Sequence, residues 1–558
     1  MRISCFKLLT RLLIFSVCLF CVRHTPYQAV ATNFTWTQGS CGFLGCGWST
    51  PTFWSPTGPP STGDHATISL DVPVVLTQNT GSLNGLTLEN SAAVYTFGSQ
   101  LNVTDSNANT FLFGTGTTGG NTQIVVNSGA ALGIDFIGDF ISLHLGAELK
   151  MLGGGAVSTF GFNISPSSII SGYGNVYLLG TGTKFDVAGT LKPDGGQLTI
   201  GSFAVDRLDL DGNINGVEHG FLDVTAGGKL LIQGSLADPY SGIANIGNSN
   251  ILEFDTILDF DGTLNYTAGS GNSIVAPSIN FNTGSLVTVD NASGEISSPS
   301  VWTGNTQISL VNGSDELHLA ANSDFAFSTV FSGQGRVVND SGATMILRDG
   351  ADVSTRLHND GTLDVESSSA GFALLEEYSQ SQGGRLNIDL GGYTPGVNFD
   401  HISITEDAGL SGMLNISLIG GFSLTPGDSF EIVNIDGTLT SSFNGLGEGS
   451  IVDTLSDLDL YITYFGGDGN DVVLYTVLPG DFDFDGDVDG KDFRIWQNGD
   501  SPNPHSQSDY NDWQANFGSP GPAVLAAVIP EPASSTMLIF SLVVVMMRNH
   551  RQNKATNF

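Results

Sequence analysis

Basic residues are scarce in this chain of 558 residues: 18 Lys and Arg stand against 55 Asp and Glu, a net charge of −37. The deficit deepens away from the ends. Arg2, Lys7, Arg11 and Arg23 lie in the first 31 residues and Arg548, Arg551 and Lys554 in the last eleven, so residues 32–530 carry 11 bases against 54 acids. No Lys or Arg occurs between Lys229 and Arg336. Such a surface repels nucleic acid and anionic membrane, which excludes a nucleic-acid partner, and it suits divalent cations and an exterior setting. Charge of either sign is thin as well: Asp, Glu, Lys and Arg together make 13%, about half the usual quarter. Cysteine is almost missing. Of 5 Cys, three fall in the first 31 residues, leaving Cys41 and Cys46 as the candidate local disulfide in an oxidising compartment. Helical periodicity is also lacking, with no convincing 3.6-residue pattern before residue 490. Against these shortages stand 73 Gly, 34 Phe and 40% apolar residues, a composition that excludes global disorder.

The two ends read as addresses. Residues 1–31 combine a basic start (Arg2, Lys7, Arg11), the apolar run Leu12–Val22 and the small-x-small site Ala29-Val30-Ala31, the pattern of a secretory signal peptide. The run is too short for a stable membrane span, which needs about 20 apolar residues. At the other end, Pro530-Glu531-Pro532 precedes small polar residues, the apolar run Met537–Met547 and the bases Arg548, Arg551 and Lys554. This ordered set resembles the PEP-CTERM sorting signal of exported bacterial proteins. The resemblance implies processing by an exosortase-type enzyme, transient membrane association through the tail, and a final place at the cell surface or in the extracellular matrix.

Between the ends the chain reads as β. Apolar and polar residues alternate in Thr122–Val126, Arg385–Leu390, Met413–Leu418 and Phe430–Ile435, each bounded by Gly, Asn, Asp or Ser. Weak repetition tips the architecture from a sandwich towards stacked coils. Ser171-Gly172-Tyr173-Gly174-Asn175-Val176 returns as Ser332-Gly333-Gln334-Gly335-Arg336-Val337, and Gly-Thr-Leu begins at Gly189, Gly262, Gly361 and Gly437. The expectation is a mainly β fold: an elongated β-solenoid, parallel β-helix-like, with a small C-terminal helical calcium-loop module. Coils explain the composition, because corners demand Gly and Asn while the interior demands ladders of Val, Ile, Leu and Phe. The divisions expected are a signal peptide over 1–31, a Trp/Pro-rich segment over 32–75, solenoid repeats over 76–370, a C-terminal β region over 371–477, the helical module over 479–518, a linker over 519–529 and the sorting signal over 530–558. The 361–474 stretch, with Gly383-Gly384-Arg385-Leu386-Asn387-Ile388 and Pro426-Gly427-Asp428-Ser429-Phe430, resembles the autotransporter-like repeat regions of such exports.

One segment carries specific chemistry. In DFDFDGDVDGKD, Asp481, Asp483 and Asp485 occupy loop positions 1, 3 and 5, Gly486 position 6, Val488 position 8, Asp489 position 9 and Asp492 position 12. Alternate carboxylates converge on a hard cation, Gly permits the sharp turn, the carbonyl of Asp487 coordinates, and position 12 closes the shell from the following helix. The cofactor expected is calcium, held by Asp481, Asp483, Asp485, Asp487, Asp489 and Asp492. Asp492-Phe493-Arg494-Ile495-Trp496-Gln497 returns as Asp509-Tyr510-Asn511-Asp512-Trp513-Gln514. Asp at position 12 and the duplicated loop-helix unit resemble a dockerin type I module. In the second copy Pro502-Asn503-Pro504-His505-Ser506 replaces the calcium loop, so one ion is expected. The resemblance implies a cohesin-like partner, although Gly490 and Lys491 depart from the hydroxyl residues that dockerins commonly place there; an exopolysaccharide is the other partner considered.

Other motifs carry less. Asp259-Phe260-Asp261-Gly262-Thr263 resembles a haloacid-dehalogenase-type nucleophile motif but lacks a following helix and a nearby Lys, so it reads as a strand turning at Asp-Gly. Gly466–Val473 fits one unit of a calcium roll, but a lone unit cannot sandwich an ion and reads as a hairpin or loop. Asp206, Asp209 and Asp211 are abundant acids without an evident pair. No catalytic residue is assigned. The function expected is an exported surface or matrix protein, structural or adhesive; the alternative is an extracellular carbohydrate-active protein.

Overall fold

The computed structural model describes short strands between Asn33 and Ile134 and then, with brief gaps, residues 140–519. The signal sequence, Cys41, Asp485, Gly486 and the tail from residue 520, including Pro530, Glu531 and Pro532, lie outside the described residues. Cys46 lies in a two-residue strand with Gly47.

Nearly every strand pairs in parallel with the strand one coil earlier and one coil later. Phe221 aligns with Ile243, Ile243 with Thr263, Thr263 with Leu286, Leu286 with Gln307 and Gln307 with Val330. Bonds between adjacent coils accordingly link residues 20 to 23 positions apart. From Ile243 onward each of these coils lays down one strand on each of three faces. Strands such as Ile243–Ile246 and Thr263–Tyr266 form the first face. Ile251–Phe254 and Gly269–Val275 belong to the second. Leu258–Phe260, Ile279–Phe281 and Ser300–Trp302 belong to the third. This is a β-solenoid, as the repeats predicted. Parallel pairing already joins Asn33–Trp36 to His65–Ile68 and still joins Phe372–Gln380 to His401–Ile404.

The alternating pattern places one side chain in two inside. Leu222, Ala244, Leu264, Val287, Ile308, Phe331 and Val353 stack in one inner column in register, all without solvent exposure. Burying each large member is worth about 1.5–3 kcal/mol, and no single coil could bury its apolar side alone. Aromatic rings form another column, in which Trp302 stacks on Phe281 at 3.9 Å and on Phe325 at 5.1 Å. Corner amides link the coils in series: the Asn339 amide donates to Asn359 Oδ1 at 2.8 Å, that of Asn359 to Gln380 Oε1 at 3.2 Å, and that of Gln380 to the Ser411 carbonyl at 2.6 Å.

The sequence repeats turn out to be corners. At Gly262 a Cβ would overlap the carbonyl oxygen of Gly242 in the coil below, so only glycine lets the chain turn there. Gly189, Gly262 and Gly361 each precede a strand, whereas after Gly437 only Leu439 bridges, to Ala408. The stack ends in antiparallel structure: Ser429–Ile435 pairs with Asp471–Thr476, and Ile451–Leu455 with Leu458–Gly466. Antiparallel strands at this point cover a parallel edge that would otherwise invite pairing with another chain. Gly466–Val473 includes the turn between Leu458–Gly466 and Asp471–Thr476, which pair antiparallel, and its Asn470 amide donates to the carbonyls of Ile435 and Gly437. Among the described residues no helix is long and apolar enough to cross a membrane.

Candidate metal centre

Beyond the β-coils the chain forms two short helices, α1 (Gly490–Asn498) and α2 (Gln507–Asn516). The acidic loop leads directly into α1. Asp489 caps that helix, accepting from the Lys491 N–H, while Asp492 reaches back in a capping box. Gly499 ends α1 in the left-handed conformation at φ 79°. Ser506 caps α2, its hydroxyl accepting from the Asp509 N–H at 3.1 Å. The segment closes on itself, because Gly518 N–H donates to the Val488 carbonyl at 2.8 Å and the Asn516 amide to the Pro479 carbonyl at 2.8 Å.

The structure sorts five of the six expected ligand residues into two groups that share Asp492. Carboxylate oxygens of Asp481, Asp483 and Asp492 lie within 4.8 Å of one another, and so do those of Asp487, Asp489 and Asp492. Asp492 belongs to both groups and is fully buried. Its Oδ1 accepts N–H bonds from Phe482 at 2.6 Å and Asp483 at 3.2 Å; its Oδ2 accepts from Asp489 at 2.7 Å. One carboxylate thus gathers the start of the loop and the helix cap at a common point. Val488, the apolar residue at position 8, is fully buried. The grouped atoms are all carboxylate oxygens, from the side chain of Asp487 where the loop pattern pointed to its carbonyl, with no thiolate or imidazole among them, which fits a hard cation such as calcium or magnesium.

The second copy solves the same electrostatic problem without acids. Asp509 is buried and accepts from the Asn503 N–H at 2.8 Å and the Asn503 amide at 3.0 Å. Burial pushes its carboxyl up, but the bonds from Asn503, Ser501 and Ser506 outweigh it and hold the group at about 2.

One acidic cluster and one buried acid in the β-coils were not legible in the sequence. Oxygens of Asp209, Asp211 and Asp238 lie within 4.8 Å of one another. Asp209 and Asp211 show in the sequence as alternate acids, but Asp238 arrives from further along the chain through the Leu208–Leu236 bridge. Burial raises the Asp211 carboxyl, bonds from the Ser241 hydroxyl and N–H lower it, and Asp209 and Asp238 raise it again. Asp400 is fully buried, and burial lifts it to about 8. Its oxygens accept from the Gly371 and Asp389 N–H groups at 2.8 and 2.7 Å. By contrast, Asp259 and Asp261 stand exposed on a strand and its turn, each accepting from an Asn one coil later at 2.6 Å. That is the geometry of a surface ladder, not of a phosphatase nucleophile. Comparison with known proteins found no matching family model and no matching curated protein.

Proposed function

We propose that this chain is an exported, non-enzymatic scaffold of the cell surface or extracellular matrix, which binds one calcium ion through the Asp481–Asp492 loop of a dockerin-like module. The observation that carries the reading is the position of Asp492, buried and common to two groups of three converging carboxylates. Calcium at this loop would neutralise acids that otherwise repel one another, and so stiffen the entry into α1. The second copy, where Asp509 is satisfied by Asn503, supports one ion and not two. The ordered tail, Pro530-Glu531-Pro532 followed by apolar and then basic residues, supports sorting by an exosortase-type enzyme. A carbohydrate-cleaving alternative needs a carboxylate pair that a substrate can reach. Asp400 and Asp471, the acids that burial lifts to about 8 and about 6, are both sealed from solvent and held by main-chain N–H groups.

Calorimetric titration of the exported chain with calcium tests the reading. One binding event is expected, and Asp481→Ala combined with Asp492→Ala removes it. Two events, or none in the unsubstituted chain, refute it.

A further inference from the structure

One face of the coils is electrically silent in a strongly acidic molecule. Five successive strands, Ile243–Ile246, Thr263–Tyr266, Leu286–Val289, Gln307–Leu310 and Val330–Gly333, stack in register on the first face. Their outward positions form two columns. One runs Ile243, Thr263, Leu286, Gln307 and Val330; the other runs Asn245, Asn265, Thr288, Ser309 and Ser332. None of these ten side chains is charged, and none is buried. Ile243 and Val330 are 45% and 50% exposed. Charge bounds the strip at both ends: Asp223, paired with Lys192, lies one coil before Asn245, and Asp352 aligns with Val330 one coil after. Along the rim, Asp290 sits at a corner with the amides of Asn291 and Asn312 on its carboxylate. The other faces differ sharply. The second carries the Lys229–Glu253, Arg336–Glu316 and His318–Asp340 pairs, and the third carries Asp259, Asp324 and Arg348.

The ten neutral neighbours stand out against the ion pairs that the two other faces carry. The arrangement also has a recognisable chemistry. Apolar and methyl-bearing side chains in one column offer contact to C–H faces, while amides and hydroxyls in the other donate and accept without charge. Coils repeat every 4.8 Å or so, so five coils give a strip about 20–25 Å long, and the two columns stand about 7 Å apart. We propose that this strip binds a neutral, linear polysaccharide chain lying along the coil axis. A charged glycan would find no counter-charge there. A second copy of the chain is disfavoured on area and on charge. The strip offers only a few hundred Å2, against about 800 Å2 per partner in a stable interface, and two molecules of net charge −37 repel. Asn265 already donates to Asn245 at 2.9 Å, so the amide column is aligned before any ligand arrives. The proposal rests on the scaffold reading of the coils and not on calcium.

The test uses the exported chain and retention on cellulose and on a soluble neutral β-glucan, with an anionic polyuronate for comparison. Retention on at least one neutral glucan is expected, with none on the polyuronate and with no loss in a calcium chelator. Thr263→Asp, Thr288→Asp and Ser309→Asp together should weaken it by about tenfold or more, because a carboxylate pressed against a neutral sugar loses hydration without a partner. Ser309→Asp alone serves if the triple variant unfolds. Val301→Asp, on the third face and 41% exposed, should change nothing. No retention on any neutral glucan, or retention that the strip variants leave intact, overturns the proposal. So does a doubling of mass with concentration that the same variants abolish, which would make the strip a self-association face. Calcium titration of the same samples separates failure here from failure of the metal reading.

Discussion

Trp513 donates its indole N–H to the main-chain carbonyl of Asp489 at 2.7 Å. Trp496 does the same to Ser506 at 2.9 Å. Asp489 and Ser506 are the N-caps of α1 and α2, and each tryptophan lies seven residues after the cap of its own helix. Each copy of the duplicated unit therefore ties its ring to the cap of the other. The pairing explains why the repeat preserves Trp-Gln at equal spacing while its loops diverge: the rings hold the helices together, and the loops only have to neutralise a buried Asp.

Trp513→Phe keeps the ring contact with Phe493 at 4.7 Å but removes the N–H. The expected cost is about 1 kcal/mol in unfolding of the helix pair. Trp496→Phe should cost a similar amount, since its bond is the counterpart. Helical circular dichroism of the melting transition measures both. Equal stability in both phenylalanine variants and the parent would show that the rings, not their N–H groups, carry the clasp.

Asp509 gives a pH signature. Its folded carboxyl lies at about 2, below the unfolded value of about 3.9. The folded state thus binds fewer protons than the unfolded one in this interval, and stability rises with pH there. The contribution is complete above about pH 4 and is lost as pH falls towards 2. Carboxyl NMR of the folded chain should place the Asp509 midpoint near 2, and Asp509→Asn should flatten the acid limb of the stability curve. A midpoint at the ordinary carboxylate value contradicts the bonding seen around Asn503.

Much of this was legible because each signal was local. Alternation in Arg385–Leu390 reports one strand with one buried side, and that strand is present. Asp481 to Asp492 carry their spacing within one loop, and the five described acids fall into two groups of three that share Asp492. Corner glycines recur because each coil meets the same obstacle, the carbonyl of the coil below. What stayed hidden depends on stacking. Asp238 joins Asp209 and Asp211 only once Leu208 and Leu236 bridge. Likewise the neutral strip exists only after coils of 20 to 23 residues bring Asn245, Asn265, Thr288, Ser309 and Ser332 into one column. Uneven coil length erases that column from the linear sequence. Gly437 marks the limit of the local signal, because its tripeptide sits where the coils give way to the antiparallel cap.

Two glycines separate crowding from backbone strain. Gly333 has φ +109° and its added Cβ would overlap the Leu310 carbonyl oxygen; Gly342 has φ +90° with open space around it. Gly342→Ala should cost about 1–2 kcal/mol from the backbone conformation alone. Gly333→Ala must also push coils apart and should cost about 2–4 kcal/mol more. Chemical denaturation of the two variants measures the difference. Equal losses would mean that the corner relaxes freely and that the coil contact at Leu310 does not enforce glycine.

Asp400 makes the opposite pH prediction. Burial raises its carboxyl to about 8; the N–H bonds from Asp389 and Gly371 pull down, and the charges of Asp389 and Asp364 push up again. The folded value lies above the unfolded value of about 3.9, so between about pH 4 and 8 the folded state holds the proton that the unfolded state has released. By linkage, this group's contribution falls as pH rises through that window. Asp400→Asn keeps the group neutral at every pH, but turns an NH2 towards one of the two N–H donors and loses that bond, about 1 kcal/mol. At pH 4–5 the variant should therefore be the less stable protein. As pH rises towards 8 the parent must carry or neutralise a sealed charge and the variant does not, so the gap should close and then reverse. Denaturant midpoints of parent and variant across pH 4–9 decide it. A gap that stays constant over the whole range would mean that Asp400 is ionised throughout and that its two N–H bonds, not burial, set its charge.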